Sequence, residues 1–199
     1  MPPIRSLAYR TDLFCLGARS QVVEREGYRV LRSPHPGFFW GNLLLFERAP
    51  RIGDDVRWVK CFETEFADSP EVRHRTFGWD DPEGAPGSAQ AFVARGYALE
   101  VSRTLCAKSI HAPPKVLEEL EVRPLVSDAD WSAATENQLV CRDDEVQEQQ
   151  HRDFKVRRMA EHRSMAEAGM GHGYGAFLDG RLVADLGIYH DGDVARYQQ

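Results

Sequence analysis

Long apolar runs are missing from this chain. The most hydrophobic stretch, Phe38 to Phe46, is interrupted by Gly41 and Asn42 and falls far short of the roughly 20 apolar residues that a membrane-spanning helix needs. The opening residues, Met-Pro-Pro-Ile-Arg-Ser, have neither the apolar core nor the small-residue cleavage site of a secretory signal. A cytoplasmic location is therefore expected, with no membrane partner. An excess of positive charge is missing as well: 25 Lys and Arg stand against 31 Asp and Glu, a formal net charge of -6. That balance gives no broad attraction to a phosphate backbone, so nucleic acid is not an expected partner. Only four cysteines occur, Cys15, Cys61, Cys106 and Cys141, with no Cys-x-x-Cys pair, which reads as reduced, mostly buried thiols rather than a metal site. No Gly-x-Ser-x-Gly elbow, P-loop or dinucleotide-type glycine loop is present, and none of the hydrolase or nucleotide-binding classes built on them is indicated.

What is present is the composition of a folded domain or two small ones: 199 residues, 42% hydrophobic and 28% charged. The pattern predicts an α/β (α+β) fold with a mostly antiparallel sheet flanked by helices. Its clearest signal lies in residues 173–199. Two apolar runs meet at Asp179-Gly180 and a third begins after Asp191-Gly192, and Asp-Gly between strand-like runs marks a tight hairpin because a primed turn needs positive φ. A three-stranded antiparallel meander is expected there.

Earlier in the chain, residues 18–26 read as two helical turns stopped by Gly27, and Tyr28 to Ser33 as a half-buried strand. Pro34 and Pro36 end it and leave His35 expected in solvent. Gly37 to Glu47 reads as a central strand in which Gly41 marks a bulge or a close backbone approach. Trp40 and Asn42 flank that break, which is either a packing glycine in a core strand or a splayed strand that opens a cleft for a ligand. Asp54 and Asp55 open an amphipathic helix carrying Val56, Trp58, Val59, Phe62 and Phe66. Residues 73–79 follow as a strand, 80–87 as a loop, 88–95 as a short helix stopped by Gly96, and Tyr97 to Cys106 as another strand by its alternation. The first unit thus covers 1–106, a linker with Pro113 and Pro114 covers 107–116, and a second unit covers 117–199.

The second unit opens with a strand at Leu120 to Leu125 and a helix to about Val140 whose cap is Ser127 or Asp128, with Asp130 favouring the positive end. Residues 143–169 are charged, free of proline and stopped by Gly169, a helix with a thin apolar stripe of Val146, Phe154, Val156, Met159 and Met165. His151 and His162 share a face of it but stand about 16 Å apart by helical rise, too far to chelate one metal.

Several of these stretches resemble the acyl-CoA-dependent N-acetyltransferase superfamily, GNAT. The meander wording, Asp-Gly followed by Val-Ala-Asp-Leu-Gly and then Ala-Arg-Tyr, is similar to the middle strands of that family. Val-Arg-Pro-Leu-x-x-Asp-x-Asp-Trp resembles its first strand and acid-capped first helix, and a helix followed by Ala-Arg-Gly-Tyr and a strand resembles its ending. The resemblance implies two GNAT-like half units, a degenerate one in 1–106 and the N-terminal part of a GNAT domain in 117–199. It also implies acetyl-CoA as cofactor and transfer of an acyl group to an amine of a small molecule or peptide. In the family, a glycine-rich loop and helix after the fourth strand hold the cofactor pyrophosphate. The second unit reaches Gln199 before such a loop, and the equivalent place in the first unit reads Arg48-Ala-Pro-Arg51-Ile-Gly53-Asp-Asp55. The expectation is an acetyltransferase without its cofactor loop in the residues at hand; the alternatives are a noncatalytic GNAT-like binding or interaction module and an unrelated α/β protein.

The chemistry of such a transfer needs a group to take the amine proton and donors to hold the carbonyl. The fourth strand supplies Arg196, Tyr197, Gln198 and Gln199, none of them a base, and Asp185 and Glu136 are the carboxylates that could face an amine. No catalytic or cofactor residue is assigned. Trp40, Asn42, Tyr189 and Tyr197 are the substrate-cleft candidates. The edge of the last strand is an expected pairing site, for the first unit or for a homodimer, because unpaired edges invite another strand.

Overall fold

A computed structural model describes residues 2–17, 19–115, 117–141 and 148–198. Ala18, Asp143, Val146 and Gln199, which the sequence reading used, lie outside them. The chain divides into two compact units, Met1–Leu105 and Cys106–Gln199, each with its own four-stranded sheet. The fold is mixed α and β with mostly antiparallel strands.

In the first unit α1 (Leu7–Phe14) precedes a hairpin of β1 (Gln21–Arg25) and β2 (Tyr28–Arg32). Gly27, at φ 83°, makes its turn. The helical turns expected over 18–26 are therefore a strand, held by pairing with β2 that no local pattern announces. β2 pairs antiparallel with β3 (Leu43–Phe46), and β3 pairs in parallel with β4 (Thr76–Trp79) after a crossover through α2 (Asp54–Glu65). A short α3 (Gln90–Val93) follows. All four residues of β3 are buried, which explains why they form an unbroken apolar run instead of an alternating one. On one face Leu44 and Phe46 meet Trp58, Phe62, Phe66 and Phe92, with Trp58 stacked 3.7 Å and 4° from Phe46. On the other, Leu43 and Leu45 lie under Leu16 and under Ile4, Tyr9 and Leu13.

Several expectations change here. The strand expected from Gly37 starts only at Leu43, because Phe39–Gly41 form a 3-10 turn. Gly41 does mark a close approach, since a Cβ there would run into Phe38 and Ser33. His35, expected in solvent, is only 4% exposed: Asn42 Nδ2 donates to its carbonyl at 2.6 Å and draws the loop inward. Val56 is exposed because two residues turn a helix by about 200° and set it opposite Trp58. Residues 97–106 form no strand; Tyr97 packs on Phe77 and Phe92 while Leu105 is 92% exposed. The alternation is real, but no neighbouring strand uses it. Of the cysteines, Cys15 is buried, Cys61 half-buried, and Cys106 and Cys141 are exposed.

The second unit runs β5 (Leu120–Pro124), α4 (Asp128–Val140), α5 (Glu148–Glu167), β6 (Gly171–Leu178), β7 (Arg181–Asp191) and β8 (Val194–Gln198). Its sheet has the order β5-β6-β7-β8, every pair antiparallel. Asp179 and Gly180 have φ of 51° and 74°, the left-handed pair that a primed two-residue turn requires, and Gly192 opens the second turn at 55°. Ser127 caps α4 in a reciprocal box with Asp130, and Asp130 also takes two hydrogen bonds from Arg123 of β5, at 2.8 and 3.0 Å. On the inner face of the sheet Gly173, Gly175 and Gly187 leave room for side chains from the helices: a Cβ on Gly173 would lie 2.8 Å from the Trp131 ring. Leu125, Trp131, Ala134, Met159 and Phe177 fill that layer. The described residues thus form two four-stranded sheets, one within each unit.

Phe62 is buried in the stripe of α2, and truncating a fully buried phenylalanine removes both its transfer energy and its packing. Phe62→Ala should cost about 3–5 kcal/mol in urea unfolding; a loss below about 1 kcal/mol would mean that this face is not the core.

Candidate functional site

The β3-to-α2 connection of the first unit is where a helix N-terminus could receive an anion, since its first amides lack partners and its dipole favours negative charge. Here the chain supplies the anion itself. Asp54 is buried, and its Oδ2 accepts from the Arg51 amide at 2.8 Å and from Arg48 Nη1 at 2.7 Å, while Oδ1 lies 3.1 Å from Arg57. Burial would raise the Asp54 pKa, but the Arg48 and Arg51 hydrogen bonds and the Arg48 and Arg57 charges outweigh it and hold the carboxyl below its ordinary value. The strands beside it stay zipped to their ends: Phe46 pairs with Trp79, and the Asp80 amide donates to Phe46 O at 2.8 Å. Nothing separates β3 from β4 to admit a ligand arm.

Trp40 and Asn42 belong to this unit but play different parts. Asn42 is a buried loop clamp, its Oδ1 accepting from Ser33 N at 3.1 Å and its Nδ2 donating to the carbonyls of His35 and Phe38. Trp40 stands exposed on the 3-10 turn with its ring 6.3 Å from that of Tyr9.

Tyr189 and Tyr197 belong to the second unit and lie on opposite faces of its sheet. Tyr189 pairs with Arg196, so Tyr197 points the other way; Tyr189 is fully buried with its hydroxyl donating to His162 O at 3.1 Å, and Tyr197 is 63% exposed. Within the first unit Asn42 is therefore buried and Trp40 exposed, and within the second Tyr189 and Tyr197 share no cleft.

The polar centre of the second unit is built around Asp185 on β7. Asn137 Nδ2 donates to its Oδ1 at 2.6 Å and Gln138 Nε2 to its Oδ2 at 2.7 Å. Lys155 Nζ on α5 then donates to Gln138 Oε1 at 2.7 Å, and a ring nitrogen of His151 lies 3.3 Å from Gln138 O. Burial lowers the Lys155 pKa, against the pull of Asp185. One carboxylate therefore ties β7 to α4 and, through Gln138, to α5. Glu136, the other carboxylate considered, points into solvent toward Arg152. Asn137, Gln138 and Lys155 were not singled out in the sequence; their only signal there is polarity at the end of α4 and within a helix whose stripe is thin.

Beside this network lies a cavity of ≈ 10 Å³, lined by Trp131, Met159, His162, Asp185, Tyr189 and Gln198 among others. His162 is 3% exposed and its Nε2 has no hydrogen-bond partner. Burial, with the charges of Arg158 and Lys155, pushes its pKa down to about 3, so the ring is neutral at neutral pH. Among the described residues no group of three or more His, Cys, Asp or Glu could hold a metal ion, and no helix is long and apolar enough to cross a membrane. No family model, curated protein or solved structure matches the chain.

The His162 shift makes a pH-dependent contribution of definite sign. Below about pH 6.5 the unfolded chain takes up a proton that the folded ring refuses until about pH 3, so folding stability falls as pH drops through that window, by up to about 1.4 kcal/mol per pH unit. In urea unfolding between pH 7 and pH 4, His162→Phe should show a shallower acid slope than the wild type. Equal slopes would show that the buried ring does not supply this term.

Proposed function

We propose that this chain is a two-unit GNAT-like N-acetyltransferase scaffold, in which the second unit belongs to the acyl-transfer domain and the first is a degenerate copy that does not hold acyl-CoA. The observation that carries the reading is the order of elements. The second unit runs strand, two helices, then a three-stranded antiparallel meander, all in one sheet of sequential order, which is the beginning of the pattern that Val122-Arg-Pro-Leu125 and the meander wording resemble. The first unit ends its antiparallel strands in β3, passes through a loop into α2 and returns as a parallel β4, the layout in which that family places its cofactor loop. The donor would be acetyl-CoA and the acceptor an amine of a small molecule or peptide. The amine attacks the thioester carbonyl, the C–S bond breaks, and the amine proton leaves to a base. Asp185 is engaged by two amide donors, and no side chain is assigned that role.

A second reading, a noncatalytic GNAT-like binding or interaction module, has its own support in Asp54. With that carboxylate in place, a pyrophosphate at the N-terminus of α2 would meet a like charge instead of free amides.

Isothermal titration of the 199-residue chain with acetyl-CoA separates the two. The first reading expects saturable binding that Asp54→Ser leaves unchanged, since the first unit takes no part. Absence of binding favours the noncatalytic module, and binding that appears only in Asp54→Ser would place a blocked cofactor site in the first unit.

A further inference from the structure

We propose that the cavity between α5 and the inner face of β7 is a built hydration site, holding one water molecule on His162 Nε2. This inference is independent of the acetyltransferase reading. A site for an internal water needs room for one molecule and two or more polar groups around it, with a volume of about 10–15 Å³ as the lower limit. The cavity measures ≈ 10 Å³, and the polar groups come from three elements. His162 on α5 contributes a ring nitrogen that is sealed from solvent and has no protein partner. Asp185 on β7 contributes carboxylate oxygens that each accept one amide hydrogen, from Asn137 and Gln138, and retain a second acceptor position. Gln198, from the inward side of β8, contributes a side-chain amide.

Other occupants fit less well. An apolar guest is too large for the volume and would leave the imidazole nitrogen unsatisfied, as would a void. A metal ion would find His162 and Asp185 as its titratable ligands in the lining, with the Asp185 oxygens already serving two amides. Water both donates and accepts, so it serves a neutral imidazole in either tautomer. The walls also argue that the space is specified. Gly187 cannot carry a Cβ without striking the Tyr189 ring, and Gly173 is pressed by Trp131, while the Tyr189 hydroxyl is committed to the His162 carbonyl. The side chains that could have filled the space are thus held at its edge.

The test is a high-resolution crystal structure of the whole 199-residue chain together with water-selective NMR on the same protein. The expected result is one water at about 2.7–3.2 Å from His162 Nε2, with cross-relaxation from a long-resident water to the His162 ring protons. His162→Phe should lose both signals. Gln198→Leu, which leaves α5 and its contacts alone, should weaken the cross-relaxation while the His162 ring keeps its position, and it serves as the deciding variant if His162→Phe does not fold. An empty cavity, absent cross-relaxation, or a protein group bonded to Nε2 would overturn the proposal, as would an unchanged water signal in Gln198→Leu.

Discussion

The first unit depends on burying both faces of β3. Leu43, Leu44, Leu45 and Phe46 are all inaccessible, and a strand of this kind can exist only where separate layers cover its two sides. The unit meets that demand with two unrelated devices. Trp58, stacked on Phe46, brings α2 and its phenylalanines down on one face, and α1 covers the other. The second device is anchored from a distance: the Asp80 carboxylate accepts from the Arg5 and Ser6 amides at 2.7 and 2.8 Å, and Arg5 returns a bond to the Asp80 carbonyl. The end of β4 thereby caps the start of α1 and fixes the layer that closes the core.

The second unit solves a different problem with a different residue. Its inner sheet face carries glycine at 173, 175 and 187 between the bulk of Phe177 and Tyr189, so part of that face offers no apolar volume of its own. There the volume comes from the helices, with Trp131 and Met159 packing in the same layer as Phe177. Close approach of helix and sheet also brings polar side chains into the layer between them. Arg158, Glu161 and His162 of α5 are buried, and Asp185 on β7 is met by donors from α4. The interior polarity of this unit lies beside its glycines, where the sheet leaves gaps between Phe177 and Tyr189 that helix side chains enter.

These two solutions explain which features the sequence discloses. Ser127 with Asp130, Asp179-Gly180, and Trp58 with Phe62 are signals carried within four residues of one another, and each forms the cap, turn or buried stripe its spacing implies. β1 and the 97–106 segment show the opposite case. Gln21 to Arg25 has weak patterning and becomes a strand because β2 lies beside it, whereas 97–106 alternates well and pairs with nothing. His35 is buried by an asparagine seven positions later, and α5 buries a histidine, an arginine and a glutamate that an apolar stripe cannot reveal. The candidate site follows the same division. Asp185 stands out as a carboxylate in an apolar strand, but Asn137, Gln138 and Lys155 acquire meaning only when α4 and α5 are laid against β7.

The same contrast separates a helix N-terminus that can receive a ligand from one that cannot. Both α2 and α4 begin with carboxylates, and in both the acid is consumed internally. Asp130 accepts from the Ser127 and Val126 amides and from Arg123; the Arg123 and amide hydrogen bonds outweigh the cost of burial and hold its pKa far below the ordinary carboxylate range. Asp54 does the equivalent with Arg51 N and Arg48. An external phosphate arriving at either end would compete with a carboxylate that is already desolvated, hydrogen-bonded and covalently tethered, and would add a like charge beside it. The geometry of strand, loop and helix at β3 and α2 is therefore that of an anion site, while its electrostatics are those of a closed structural joint, and it is the second property that decides what the first unit can bind.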